Sequence, residues 1–350
     1  MLRQFMTIAT IVVAPFSIIS AQDSTKKATL NVSGSVDAYY RYNFANAKDS
    51  LRTNNYTSFT NSQNSFELGM ASLRLDGSIG KVGAVVDLGF GRRANEFSYN
   101  DGATLAAVKQ AFLTFAPSDK IKFTLGKWGT HVGYEVLDAY LNRNYSMDYM
   151  FSYGPFFHTG LKADITLGSF GVMVGVVNPT DYSSASFAKK NFIAQVSGAT
   201  KDSKFKGYLN YVGGKDPGDN SINQGDLVLM ATITDKFSVG YNGTVKSVKP
   251  SGGSAQSWWG SALYLNVDPT SMFGLTLRGE YFDDKKAVAG FGTSIFDATL
   301  SANIRIDNLT IIPEFRLDSA KDPLFYKNAD TDSPTAKGTG AFILGVTYHF

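Results

Sequence analysis

The chain has 350 residues, 33 Lys and Arg against 30 Asp and Glu, a formal charge of +3, and no cysteine. The near-neutral balance argues against a nucleic-acid partner, and the missing cysteine excludes disulfides, thiolate metal or redox centres and a lipid-anchored Cys. Charged residues make up only 18% and aromatic residues 13%, with 34 Gly, against about 25% charged in an ordinary soluble domain.

Residues 1–21 read as a secretory signal. Arg3 supplies the basic start, Phe5 to Ile19 the apolar core, and Ser20-Ala21 the small residues before a cut. Thr7, Thr10 and Pro15 interrupt it too often for a membrane helix. Cleavage before Gln22 removes one base and no acid, leaving 33 − 1 = 32 against 30, formally +2. Residues 22–29 form a short polar lead, and 30–350 the body.

The body begins with strict alternation. Leu30, Val32, Gly34, Val36, Ala38, Tyr40 and Tyr42 share one face, and Asn31, Ser33, Asp37 and Arg41 the other. After an Asn/Ser/Thr-rich loop (45–64), Leu73, Leu75, Gly77 and Ile79 resume the pattern. The stretch Phe66 to Met70 runs in the opposite phase, which predicts a β-bulge. Further strands follow at 82–90, 105–116, 120–128, 159–167, 170–177, 191–199, 205–213, 226–234, 237–246, 257–267, 274–282, 294–306, 309–318 and 340–350. That makes sixteen.

The connections alternate in length. Short turns such as Gly80-Lys81, Gly168-Ser169 and Asp307-Asn308 face long loops at 44–64, 92–104, 129–158, 178–190, 214–225, 247–256, 283–293 and 319–339. Sorted turns and an even strand number predict an all-β fold, a closed up-and-down antiparallel transmembrane β-barrel of about 16 strands. In lipid every backbone polar group must be paired internally, which only helices and closed barrels achieve. Aromatic residues gather at strand ends: Tyr40, Tyr42, Phe44, Phe90, Phe115, Trp128, Phe170, Trp258, Trp259, Tyr281, Phe282, Phe315, Tyr348 and Phe350. Girdles at two membrane interfaces would place them there.

With the apolar face outward, the lumen is lined by the bases Arg41, Arg74, Lys122, Lys162, Lys206, Arg278, Arg305 and Arg316. Its acids are Asp37, Asp76, Asp87, Asp164, Glu280, Asp297 and Glu314. A base turned to mid-bilayer lipid would cost about 2–4 kcal/mol, so charges keep the polar phase. Sixteen strands leave room for water. The loop 129–158 is the longest and richest in rings. It is expected to fold into the barrel, with Glu135, Asp138 and Arg143 at a constriction and the two acids facing Arg41 and Arg74.

The last strand, Ala341 to Phe350, alternates Phe342, Leu344, Val346, Tyr348 and Phe350. It resembles the closing strand of bacterial outer-membrane barrels, in which a final Phe marks the chain for the barrel-assembly machinery. Tyr348 and Phe350 are therefore the expected assembly signal, and the strand should pair with Leu30–Phe44. Gly126-Lys127-Trp128-Gly129-Thr130, Gly133-Tyr134-Glu135, Asn142, Asn144-Tyr145-Ser146 and Gly160 resemble the pattern of the putative β-barrel porin-2 (OmpL-like) family of Bacteroidetes-type bacteria, over about 35 residues. Where that family favours Ser-Arg-Ser after the Asn, this chain has Met147-Asp148 after Ser146. The resemblance implies an outer-membrane channel for passive diffusion of small hydrophilic solutes, in contact with outer-membrane lipids and needing no cofactor. A monomer and a homotrimer both fit the pattern. The rivals are a non-pore barrel, adhesin or structural anchor, and a barrel hydrolase. His131 and His158 could meet, with Asp138, but no nucleophile stands at a recognisable spacing. Asp216 to Asn220 reads as a turn rather than a Ca²⁺ loop.

Overall fold

The computed structural model describes residues 27–46, 53–328 and 333–350. The signal reading lies outside these residues, as does the lead as far as residue 26. The first strand already includes Ala28 and Thr29.

Sixteen strands form: β1 Ala28–Asn43, β2 Ser65–Ile79, β3 Val82–Phe90, β4 Val108–Ser118, β5 Ile121–Gly129, β6 Phe157–Leu167, β7 Phe170–Val177, β8 Asn191–Ala199, β9 Phe205–Lys215, β10 Ser221–Thr234, β11 Phe237–Lys249, β12 Gln256–Thr270, β13 Phe273–Asp283, β14 Ser294–Ile306, β15 Leu309–Ala320 and β16 Gly338–His349. Each pairs antiparallel with its neighbours in sequence, and β1 with β16 closes the barrel. The closing register runs from Ser35↔His349 to Asn43↔Ala341, and Gly34 and Phe350 exchange backbone hydrogen bonds at 3.1 and 3.0 Å. A Cβ on Gly34 would stand 2.6 Å from both the Phe350 ring and the Ser72 carbonyl, so only a glycine fits there. Among the described residues no helix is long and apolar enough to cross a membrane.

Alternation fixes which face each residue takes. Leu30, Val32, Leu73, Leu75, Leu113, Leu125, Leu161, Val174, Leu263 and Leu300 are exposed on the outside. The predicted change of phase in β2 is a bulge. Asp37 pairs with Met70 and Ala38 with Leu68, leaving Gly69 unopposed. Phe66 and Leu68 thereby face outward on one side of the bulge, and Leu73 and Leu75 on the other.

Two expectations need correction. The strand expected from 105 begins at Val108, because 103–106 coil into a short helix, α2 (Ala103–Ala106), after α1 (Arg92–Phe97). Of the aromatic residues assigned to the girdles, Trp128, Trp258 and Phe282 are 5%, 1% and 0% exposed. Trp258 and Phe282 each sit beside an outward neighbour, Trp259 or Tyr281, so alternation turns one of each pair inward.

The wall is uneven. Strands β3 to β8 have 8 to 11 residues, whereas β10 to β16 have 11 to 15. On the lower side, loops between strands fill the space inside the rim.

Candidate pore constriction

The segment between β5 and β6 runs through the barrel interior. Its root is fixed where the Thr130 N–H donates to the Phe156 carbonyl at 2.9 Å. From there it touches nearly every strand of the taller wall. The Gly133 N–H donates to Asp226 on β10 and the Tyr134 N–H to Asn242 on β11. The Tyr134 ring stacks on Tyr264 of β12, centroids 4.1 Å apart.

Two wall carboxylates grip its backbone. Glu314 accepts the N–H groups of Tyr145 and Ser146 at 2.7 and 3.1 Å, and Glu280 those of Tyr149 and Met150 at 2.7 and 2.9 Å. Both acids are fully buried, and each oxygen takes one amide. Opposing them, Arg278 and Arg316 donate to loop carbonyls, Ser146 at 2.7 Å and Met147 at 2.7 Å. A buried charge must be paired and hydrogen bonded, and here loop and wall satisfy each other. Asp148 caps the turn α3 (Tyr149–Ser152) by accepting the Phe151 N–H, and it also accepts the Tyr264 hydroxyl.

The charges predicted at the constriction find partners other than those expected. Glu135 pairs with Arg278 at 2.6 Å, and Asp138 with Lys109 at 2.6 Å. Arg143 forms a two-point pair with Asp268 at 3.0 Å, and Arg305 shares that carboxylate at 2.9 Å. Arg74 lies against Asp76 and Asp87. Arg41 is buried and donates to the carbonyls of Thr53 and Ser62 at 2.9 and 2.7 Å, so it anchors the first long loop. Neither acid pairs with Arg41 or Arg74, although Arg74, Glu135 and Asp138 border one cavity. The loop swings across toward β12–β16, and Glu135 reaches Arg278 there.

The other lumen residues divide by wall. Asp37 accepts the Tyr145 hydroxyl, Asp87 sits 3.2 Å from Lys109, Asp297 pairs with Arg278 at 2.8 Å, and Arg316 with Asp318. Lys162 and Asp164 pair at 3.2 Å. Lys122 and Lys206 are exposed toward the short-turn end and have no ion pair among the described residues. His131 and His158 do meet, ring centroids 5.2 Å apart, but Asp138 is with Lys109.

Sequence reading missed Arg93, Lys109, Asp268 and Asp318. Lys109 shares the phase of Leu113 and Phe115. The register shift between Asp87 and Leu88 turns it inward. Arg93 belongs to α1, inside a stretch assigned to loop. It is buried, with its guanidinium 4.9 and 5.1 Å from the ring centroids of Phe59 and Tyr145. Asp268, one residue past the strand expected at 257–267, lies in β12. Asp318 follows Glu314 and Arg316 in phase, so alternation would have found it.

The segment leaves separate spaces. Toward the short turns lie one cavity of about 410 Å³ beside Arg74, Lys109 and Asp138, and one of about 380 Å³ beside Arg143 and Asn266. Toward the long loops lies one of about 580 Å³. Phe156 lines both the 410 and 580 Å³ spaces, packed on Phe59, Phe97 and Phe151 at centroid distances of 5.5–6.1 Å.

A family model described as putative beta-barrel porin-2, OmpL-like, matches residues 29–350. The fold is similar to an anion-selective porin from Comamonas acidovorans (TM-score 0.64, 12% identity, 93% of this chain and 100% of that one). It is also similar to the outer-membrane channel DcaP of Acinetobacter baumannii (0.62, 11%, 92% and 97%) and to OmpT of Vibrio cholerae in its trimer form (0.60, 12%, 92% and 99%). No curated protein matches the chain.

Proposed function

The chain belongs to the putative β-barrel porin-2, OmpL-like family, and from that premise we propose that it is an outer-membrane channel through which small hydrophilic solutes diffuse passively. The observation that carries this reading is a closed sixteen-strand barrel with an apolar outside and a charged interior. Apolar clusters inside, such as Phe59, Phe97, Phe151 and Phe156, pack the internal segment, but charged groups fix its path. Here the wall spends Glu280, Glu314, Arg278 and Arg316 on holding one internal segment.

In this reading residues 130–156 narrow the passage. The short turns face the periplasm, where the signal segment delivers the chain and the closing strand meets the assembly machinery. The long loops face outside. The channel assembles as a homotrimer. Arg143, Asp138 and Glu135 border the space left for solutes, while Arg41 stays with the first loop.

Deleting residues 134–150 and recording single channels in planar bilayers tests the constriction. Conductance should rise severalfold, since the segment occupies the lumen. An unchanged conductance would refute the constriction, and a pure, folded barrel that opens no channels would refute the porin reading.

A further inference from the structure

In the 580 Å³ cavity at the long-loop end the charged groups are already used. Asp181 accepts the N–H groups of Phe156 and Phe157 at 2.7 and 2.9 Å and the Tyr99 hydroxyl at 3.1 Å. Asp216 takes the backbone and side-chain N–H groups of Asn220 at 2.9 and 2.8 Å. Glu96 takes the Phe59 N–H at 2.6 Å and lies 3.8 Å from Arg92. The one base in the lining, Lys246, donates to the Tyr153 carbonyl at 3.1 Å, and its charge acts on Asp181. Three acids disfavour an anion. A cation would find no carboxylate here without a donor, and Lys246 beside it.

The uncharged groups differ. Ser58, Thr180 and Tyr182 line the same cavity, and their hydroxyls have no hydrogen-bond partner among the described residues. A hydroxyl both donates and accepts, so this set suits a ligand that itself carries hydroxyls. Beside them Tyr99 offers a ring face. Its hydroxyl is tied to Asp181 and its ring meets Phe156 at 86°, centroids 6.1 Å apart, yet 59% of the residue is open. Tyr153 is held in the same way, by the Tyr56 carbonyl at 3.0 Å and the Phe291 ring. Rings fixed in advance lose little freedom when a ligand arrives. The electron-rich face of such a ring attracts C–H groups polarised by neighbouring oxygens. A pyranose carries hydroxyls around its rim and C–H groups on its faces, so each half of the lining has its counterpart. The volume falls in the usual range of small-molecule sites, about 300–1,000 Å³.

We propose that this cavity is an outer docking site for a neutral sugar, stacked on Tyr99 and hydrogen bonded to Ser58, Thr180 and Tyr182 before it passes the constriction. This deepens the channel reading and rests on it for its purpose. Glucose is the probe, followed by saturation-transfer NMR on the full chain folded in detergent micelles. Sorbitol carries the hydroxyls on an open chain, and glucosamine and glucuronate carry the ring with a charge of either sign.

Glucose should bind at least about fivefold more tightly than sorbitol, which has no ring face and must be ordered on binding. Neither charged sugar should bind more tightly than glucose. Tyr99→Ala should weaken glucose about tenfold, the size of one ring contact. Tyr99→Phe keeps the face and drops the hydroxyl, and should stay within about threefold of wild type. Tyr182→Phe should weaken glucose about threefold through one lost hydrogen bond. If Tyr99→Ala fails to fold, as read from gel migration with and without heating, Tyr182→Phe combined with Ser58→Ala carries the test and should weaken glucose about tenfold. Equal binding of sorbitol, tighter binding of glucosamine or glucuronate, wild-type affinity in the Tyr99→Ala and Tyr182→Phe variants, or no glucose binding would overturn the proposal. Binding in micelles needs no conduction. Glucose binding without channels would sink only the porin reading, and channels without glucose binding would sink only this site.

Discussion

Arg278 shows how charge can be buried inside this barrel. Its guanidinium has no exposed surface and meets Glu135 at 2.6 Å, Asp297 at 2.8 Å and the Ser146 carbonyl. Removing one member of such a set costs far more than the set contributes, because the remaining charges are left dry and unpaired. Arg278→Ala should destabilise the folded barrel by about 3–5 kcal/mol, measured by urea unfolding in micelles. Adding Glu135→Gln should recover part of that loss, since one stranded charge is gone. Asp181, in the loop after β7, carries a pH dependence. Burial pushes its carboxyl up to about 6, opposed by the N–H groups of Phe157 and Phe156. The folded state therefore holds the proton more tightly than the unfolded chain. The associated stability is complete below about pH 4 and lost as pH rises through 6, about 3 kcal/mol in all. Unfolding at several pH values should show that slope, and Asp181→Asn should remove it. These residues were only partly legible in the sequence. Period 2 assigned Arg278, Asp297 and Glu280 to the interior, because a charge in lipid is expensive. It could not name their partners, which the path of a thirty-residue loop decides.

At the level of elements, the strands were the readable part. All sixteen lie close to where alternation put them, since the same period is imposed twice, by lipid outside and by polar groups inside. The readings that failed share one cause. The bulge that turns Lys109 inward and the helices in 92–106 are set by tertiary packing, and no local period reports them. Trp128, Trp258 and Phe282 were assigned outward because membrane interfaces attract rings, yet the internal segment attracts them too. Trp258 and Phe282 pack with Tyr149 and Met150. Gly34 illustrates an element junction that alternation alone cannot explain. It looks like a small residue on the lipid face, but its missing side chain is the space taken by the Phe350 ring. Gly34→Leu should force that ring away and break the paired N–H and C=O groups of Gly34 and Phe350. Overpacking of this kind costs about 1–3 kcal/mol. The fraction of heat-modifiable, folded barrel after refolding should fall well below wild type, with Gly34→Ala intermediate. An undiminished yield would show that this contact does not govern closure.

The whole molecule has one side that is too short for its surroundings. An eight-residue strand such as β7, rising about 3.3 Å per residue at a tilt near 45°, reaches about 19 Å. The apolar band of an outer-membrane barrel is about 25 Å tall. The fifteen-residue β12 reaches about 35 Å by the same arithmetic, ample for the span. Over β3 to β8 the outside is nevertheless apolar, with Val82, Val86, Leu125, Leu161, Phe170, Val174 and Phe192 exposed. Lipid could meet that side only by thinning, at a cost for each ångström of mismatch. A second copy of the same low wall meets it without thinning, and a closed ring of copies covers every low side at once. For the homotrimer proposed above, the mass of the protein in mild detergent, from light scattering with the micelle subtracted, should be three times that of a 37.9 kDa chain without its signal segment. Charges placed on this wall, such as Leu125→Arg with Val174→Arg, should release folded monomers. The same pair of changes on β12 and β14, at Leu263 and Leu300, should leave the trimer intact and impair insertion instead. If the low-wall variant stays trimeric while the tall-wall variant dissociates, the subunits meet on the opposite side, and the short strands answer to local bilayer thinning.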